Sequence, residues 1–139
     1  MYSISGVVVA AGYPKTLTLA EFEKAIWLDF EGVQYSPPAF AGVVIDGEYM
    51  MFIVDDHLEM LKDSPCGISF SGMNGFFDWL ITTAIRQERV IIAYTEHEYN
   101  MMRRFVPEWD SIWETIFLPR YRNANLLVKK HFQKNHKKS

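Results

Sequence analysis

Cysteine is nearly absent from this sequence, which contains Cys66 alone. A single thiol cannot form an intramolecular disulfide, and no Cys-x-x-Cys pair or Cys/His cluster marks a structural zinc site. Nothing approaches the roughly 20 apolar residues that a helix needs to span a bilayer. The apolar stretch 6–12 has no basic residue before it, so it makes a poor signal peptide. We therefore expect a cytoplasmic protein with no membrane insertion.

Internal repeats are also missing, and the only low-complexity stretch is the lysine-rich end. The chain has 139 residues, of which 49% are hydrophobic and 22% are charged. That length suffices for one well-buried core but is short for two ordinary domains. We therefore expect residues 1–139 to form a single domain, in which residues 133–139 are a basic, mobile tail.

Acidic side chains are missing after Glu114. Residues 1–119 hold all 17 carboxylates and seven Lys or Arg, a net charge of −10, whereas residues 120–139 hold seven Lys or Arg and no acid, a net charge of +7. Such a basic patch can contact nucleic-acid phosphates, or it can simply complement a helix dipole and the acidic body. The lysines that would contact phosphates are Lys129, Lys130, Lys134, Lys137 and Lys138.

The order of apolar segments predicts an α/β domain with a mixed sheet. Residues 25–31 have the pattern of a largely apolar strand that becomes acidic toward its end. Two later apolar segments joined by Asp46-Gly47, a dipeptide favoured in tight hairpins, extend it to a three-strand meander. Helical spacing over 76–87 before an apolar segment at 90–94 predicts a parallel crossover. The other predicted segments are a strand at 5–10, a capped helix at 19–25, strands at 39–45 and 48–54, a flexible connection at 67–75, and helices at 96–105, 109–117 and 123–134.

Asp29 and Glu31 are the first candidates for chemistry. Residues two apart on a strand leave the same face, so both carboxylates can share one ion while Phe30 points the opposite way. Mg²⁺ and Mn²⁺ prefer oxygen ligands, and two such ions can activate water for phosphodiester cleavage. The alternative is that these acids are a solvated end of the strand.

The Asp-Phe-Glu-Gly sequence on a first strand, followed by two antiparallel strands, a helix and a fourth strand, resembles the DEDD 3'-5' exonuclease branch of the ribonuclease H-like superfamily. The resemblance implies a three-layer α/β/α fold and makes Asp29 and Glu31 the first motif. It places a second acidic position after the fourth strand, where residues 93–98 read Ala-Tyr-Thr-Glu-His-Glu. Glu98 is the implied ligand there and Glu96 the second choice.

The acids of this second motif have another interpretation, because Glu96 and Glu98 are first-turn carboxylates that favour the positive end of a helix. His97 between them is either a general base or a residue of the helix start with no chemical role.

The sequence departs from the family pattern near its end. Asn125 stands where a later family segment would carry an acid, and an amide oxygen can coordinate a metal but brings no charge. The family's final motif, a His or Tyr shortly before an Asp, has no match. Either the chain is a C-terminally truncated relative, or the fold has been kept for binding after hydrolysis was lost.

The sequence therefore predicts a nuclease-like domain of the 3'-5' exonuclease type that depends on Mg²⁺ or Mn²⁺, with weakened or absent activity. Its predicted ligands are Asp29, Glu31, Glu98 and Asn125, and its expected partner is nucleic acid. The competing interpretation is a catalytically inactive ribonuclease H-like module that binds nucleic acid or protein. The sequence leaves the oligomeric state open.

Overall fold

The computed structural model describes residues 14–32, 38–55, 57–58, 69–105 and 111–127. The predicted strand 5–10, Cys66 and the lysines from Lys129 onward lie outside these residues. Within them, no helix is long and apolar enough to cross a membrane. The helices are α1 Leu19–Lys24, α2 Gly72–Arg86, α3 Glu96–Phe105 and α4 Ser111–Phe117, and a 3-10 turn covers Leu118–Arg120. The strands are β1 Ile26–Glu31, β2 Phe40–Ile45, β3 Glu48–Ile53, β4 Ser69–Phe70, β5 Ile91–Ala93 and β6 Tyr121–Asn123.

The strands form one six-stranded sheet in the order β4-β3-β2-β1-β5-β6. β1, β2 and β3 are successive antiparallel neighbours, which confirms the predicted meander. After α2 the chain returns as β5, parallel to β1, so the predicted crossover is confirmed as well. β4 and β6 add parallel pairs at the two edges. The protein is therefore an α/β protein with a mixed sheet, as its segment order predicts.

Local sequence signals explain two of these elements. The β2–β3 turn places Asp46 at φ 51° and Gly47 at φ 81°, the left-handed values that a two-residue hairpin turn requires. At the start of α1, the Thr18 hydroxyl accepts a hydrogen bond from the Glu21 N–H at 3.1 Å. The Glu21 carboxylate in turn accepts from the Thr18 N–H at 2.9 Å. This reciprocal pair is a capping box, which satisfies N–H groups that a helix leaves unpaired at its start.

The main core lies on one face of the sheet. Strand alternation in β1 buries Ile26, Leu28 and Phe30 on that face and turns Trp27, Asp29 and Glu31 to the other. The helices cover the first face with apolar side chains whose burial stabilises the sheet. Their buried residues include Phe76, Phe77, Leu80, Ile81 and Ala84 of α2, Tyr99, Met101 and Met102 of α3, and Phe117 of α4.

The second face is covered more thinly in the part of the chain that the structure describes. Ala25, Val90 and Ile92 form a small buried cluster there, against which Leu17 and Trp27 pack. The Phe22 ring of α1 meets Trp27 edge to face, with 5.8 Å between ring centroids. The cluster lies toward the start of β1, so the acidic end of the same strand stays open on this face.

The end of the chain differs from the sequence prediction. Asn123 belongs to β6, and the helical residues described after it are 124–127, so the prediction of a helix from Asn123 was wrong at its start. The short β6 lacks the apolar alternation of a strand. The connection predicted at 67–75 was also wrong in part, because β4 lies within it and α2 begins at Gly72.

A buried arginine holds β6 to the segment before β1. The Arg122 side chain is only 5% exposed and forms an ion pair with Glu21 at 3.1 Å. Its guanidinium also donates to the backbone oxygens of Thr16 at 2.8 Å, Pro119 at 2.9 Å and Tyr121 at 2.9 Å. Because a guanidinium carries five donors and stays charged, it can satisfy several oxygens at once in a buried position.

Glu21→Gln is expected to lower the free energy of unfolding at pH 7 by about 0.5–1 kcal/mol, a modest loss because the carboxylate is partly exposed. The capping hydrogen bond of Thr18 and the charge of Arg122 lower the pKa of Glu21 below its ordinary 4.5. The charged form therefore stabilises the fold above that value, and this contribution is lost as the pH falls through the lower pKa of the folded state.

Urea unfolding between pH 3 and pH 7 measures this effect, with the exposed neighbour Glu23→Gln as the matched control. The difference between Glu21→Gln and wild type should shrink toward acid pH. A constant difference at all pH values would contradict an ionic contribution.

Candidate functional site

Asp29 and Glu31 lie side by side on the open second face, as the sequence predicts for strand residues two apart. Both are exposed. Their carboxyl groups are hydrogen-bonded to each other, and this bond, together with the negative charge of Asp29, raises the pKa of Glu31. Like charges that lie near each other repel, which favours protonation of one carboxyl group. The end of β1 therefore carries two neighbouring exposed acids whose titrations influence each other.

Glu98 reaches the same strand from the first turn of α3. β5 ends at Ala93, the partner of Leu28, so β1 has no β5 neighbour beyond that point. There the Glu98 carboxyl lies near the backbone of Phe30. Glu98 as a whole is only 4% exposed. Burial is the main cause that raises the pKa of Glu98, and the negative charge of Asp29 adds to it.

Asp29 is thus the member that links the three predicted acids. It raises the pKa of Glu31 through a side-chain hydrogen bond and its negative charge, and its charge adds to the burial that raises the pKa of Glu98. Within the described ranges, however, no three His, Cys, Asp or Glu side chains form a group that could hold a metal ion. The structure brings the acids to one end of β1 without closing them around a common point.

The other residues of the second motif have structural partners. The Glu96 carboxylate accepts a hydrogen bond from the Asn123 side-chain amide at 3.1 Å. The His97 backbone N–H donates to the Thr95 hydroxyl at 3.2 Å, which begins α3. The His97 side chain is exposed. These contacts fit the helix-start interpretation of Glu96 and His97, and they leave Glu98 as the acid of this motif that is turned toward β1.

Asn125 lies near the same end of the sheet. Its backbone N–H donates to the Tyr94 carbonyl at 2.8 Å, directly after β5. Its side chain is half-buried, and its role as a ligand stays a prediction. The lysines predicted to contact phosphates, Lys129, Lys130, Lys134, Lys137 and Lys138, lie outside the described residues.

Two residues beside the acids have no counterpart in the sequence analysis. Gly42 of β2 is the register partner of Asp29. A Cβ built on Gly42 would lie 2.7 Å from the Tyr49 hydroxyl, so the Tyr49 side chain of β3 extends over this glycine. A glycine inside a strand often marks such a close approach, and that is the one signal in the sequence that points here.

The described grooves lie elsewhere on the molecule. One, of about 380 Å³, runs along α2 past Trp79, Thr83 and Gln87. Another, of about 400 Å³, lies between the same three residues and the β2–β3 hairpin. Neither is lined by Asp29 or Glu98. The acids therefore occupy an open sheet surface rather than either groove.

Comparison with known proteins gives no relative. No protein-family model, no curated protein and no solved structure matches this chain.

Asp29→Asn is expected to raise the melting temperature of the metal-free protein by a few degrees, because it removes the charge that acts on both Glu31 and Glu98. Differential scanning calorimetry in EDTA measures the shift. Glu48→Gln is the matched control, since Glu48 is an exposed acid on β3, and we expect it to change stability by less than about 0.5 kcal/mol. A lower melting temperature for Asp29→Asn alone would show that this carboxylate stabilises the metal-free fold.

Proposed function

We propose that this protein is a ribonuclease H-like, nuclease-type domain of the 3'-5' exonuclease class that hydrolyses phosphodiester bonds of nucleic acid with Mg²⁺ or Mn²⁺. One observation carries the proposal: Asp29 and Glu31 lie exposed on the same face at the end of β1, and the buried Glu98 of α3 lies near enough for the charge of Asp29 to act on it. These are the acids that the two sequence motifs select independently of each other.

The connection of the strands supports the same proposal. The resemblance rests on a meander, a helix, a further strand and an acidic helix start, and the chain follows this order through β3, α2, β5 and α3. Parallel pairing of β1 with β5 directs the carboxyl ends of both strands to the same end of the sheet. The first and second acidic motifs therefore meet there, although they are more than 60 residues apart in the sequence.

The donor set suits a hard divalent cation. Asp29, Glu31 and Glu98 offer oxygen ligands only, which Mg²⁺ and Mn²⁺ prefer. When bound, such an ion supplies Lewis-acid chemistry that activates water and stabilises the leaving oxygen of a phosphodiester. The Thr95 hydroxyl donates to the Glu98 carboxylate at 3.4 Å. Asn125 remains the predicted uncharged ligand.

The second candidate function is a catalytically inactive module that binds nucleic acid or protein. The observation that favours it is that, among the described residues, no three His, Cys, Asp or Glu side chains form a group that could hold a metal ion. Fewer charged ligands around one point bind a divalent ion more weakly.

Mn²⁺ titration followed by thermal unfolding and cleavage assays tests the proposal. Wild type should be stabilised by about 2.7 kcal/mol when the free ion is about 100-fold above its Kd, and should shorten single-stranded DNA or RNA labelled at the 5' end. The Asp29→Asn/Glu31→Gln variant should show neither effect. The matched control is Glu23→Gln/Glu48→Gln, which removes two exposed acids away from the end of β1 and should behave as wild type.

The outcomes separate the two candidate functions. Stabilisation and shortening from the 3' end, both confined to wild type and the control, support the enzyme. Binding of nucleic acid without cleavage in any metal supports the inactive module. If Mn²⁺ neither stabilises wild type nor promotes cleavage, the metal-dependent nuclease proposal is wrong.

A further inference from the structure

Gly42 is a glycine in the middle of β2 that the backbone does not require. Its φ lies outside the left-handed region, so an alanine could adopt the same conformation. A glycine inside a strand weakens it, because it packs no side chain and loses more conformational freedom on folding. The three heavy atoms nearest to a Cβ at this position all belong to Tyr49. The missing side chain therefore makes room for this one tyrosine.

The Tyr49 side chain lies along the second face with its hydroxyl over Gly42. The hydroxyl oxygen is 2.7 Å from the position of a Gly42 Cβ, and the ring atoms Cζ and Cε2 follow at 3.3 Å and 3.5 Å. Tyr49 pairs with Val44, two residues from Gly42, so its ring runs diagonally across β2. Packing on a glycine needs only the ring, which a phenylalanine also has. The hydroxyl needs another explanation.

This hydroxyl lies close to Asp29. Gly42 is the register partner of Asp29, on the face that carries both acids of β1. Directly opposed Cβ atoms are about 4.5–5.5 Å apart, so the Tyr49 oxygen is within about 8 Å of the Asp29 Cβ. Metal–oxygen distances of about 2.0–2.1 Å and an O–H···O distance of about 2.7 Å allow one phosphate group to join an ion on Asp29 to this hydroxyl.

The Tyr49 hydroxyl is also accessible to a ligand. Tyr49 is 56% exposed, and its hydroxyl has no hydrogen-bond partner in the part of the chain that the structure describes. A phenol is a neutral O–H donor, so phosphate oxygens can accept from it without any cation that would neutralise the acids. Arg122 shares this face through its register with Ile92, but it is already engaged with Glu21 and three backbone oxygens.

We propose that Tyr49 is a substrate-binding residue of this site: held over Gly42, its hydroxyl donates a hydrogen bond to a non-bridging oxygen of the phosphodiester that an ion on Asp29 and Glu31 receives. This inference rests on the function proposed above and names a residue that holds its substrate. The hydroxyl neither binds the ion nor takes part in the chemical step, so it acts on the affinity for substrate. Gly42 is a positioning residue, because it acts through Tyr49.

Steady-state cleavage of thymidine 5'-(p-nitrophenyl phosphate) in saturating Mn²⁺ tests the assignment, since this ester contains one phosphodiester. Tyr49→Phe keeps the ring and removes the hydroxyl, and should raise KM about tenfold while kcat stays within about twofold. Gly42→Ala keeps the hydroxyl but displaces it, and should raise KM to a similar degree. Gly75→Ala is the matched glycine control, because a Cβ there meets only Ser71, at an ordinary 3.5 Å, and it should leave KM unchanged.

The double variant Gly42→Ala/Tyr49→Phe decides whether the two residues act through one contact. Once the hydroxyl is gone, its displacement has no further effect, so the KM of the double variant should equal that of Tyr49→Phe. A purely structural role predicts that Tyr49→Phe behaves as wild type, because the ring still covers Gly42. A wild-type KM for Tyr49→Phe, or a double variant whose KM rises by the product of the two single effects, would overturn the proposal.

A binding measurement separates this inference from the proposed function. Thermal stabilisation by Mn²⁺ alone should need the same metal concentration in Tyr49→Phe and in wild type. Further stabilisation by thymidine 5'-monophosphate should need about tenfold more nucleotide in the variant. An equal nucleotide response in both proteins, or none in metal-bound wild type, would remove the role of Tyr49 and leave the metal site in place. If Mn²⁺ itself does not stabilise wild type, the proposed function fails, and this inference fails with it.

Discussion

The parallel pairing of β1 with β5 is the contact on which the arrangement of the acids depends. The pairing stops at Leu28 and Ala93, so the last residues of β1 project beyond the end of β5. The chain then turns into α3, whose first turn brings the buried Glu98 carboxyl near Phe30 and within reach of the charge of Asp29. The separation of Glu98 from Asp29 is therefore set by the sheet.

The acids of β1 contrast with other acids of the fold. Asp46 is paired with Arg89 at 2.8 Å, Glu21 with Arg122 at 3.1 Å and Glu114 with Arg103 at 3.3 Å. In the described ranges Asp29 and Glu31 form no such ion pair, and the pKa of Glu31 is raised by its neighbour Asp29. The end of β1 therefore carries negative charge that no described cation offsets.

The apolar segments of the sequence predict most of the fold, because their periodicity reflects burial directly. β1, β2, β3, α2 and β5 all follow from this pattern, and Asp46-Gly47 predicts the hairpin. β6 could not be predicted in the same way. Its residue Arg122 is buried because its guanidinium donates hydrogen bonds to oxygens of Thr16 and Glu21, which are about 100 residues away in the chain. For the site, Asp-x-Glu predicts the pair on one face, but the place of Tyr49 over Gly42 depends on the β2–β3 register.

Two Thr-x-x-Glu sequences begin helices of this protein, and their glutamates differ in what they contact. Thr18 and Glu21 close a capping box at the exposed start of α1, in which the Glu21 carboxylate accepts the Thr18 N–H at 2.9 Å. Thr95 and Glu98 have the same spacing at the start of α3, and Thr95 accepts the His97 N–H as a cap does. The Glu98 carboxylate, however, is buried against Phe30 and within reach of the charge of Asp29. A glutamate that served only to begin the helix could remain in solvent, as Glu21 partly does, and would avoid both the desolvation and the repulsion. The same spacing therefore gives a partly exposed capping glutamate in α1 and a buried glutamate beside β1 in α3.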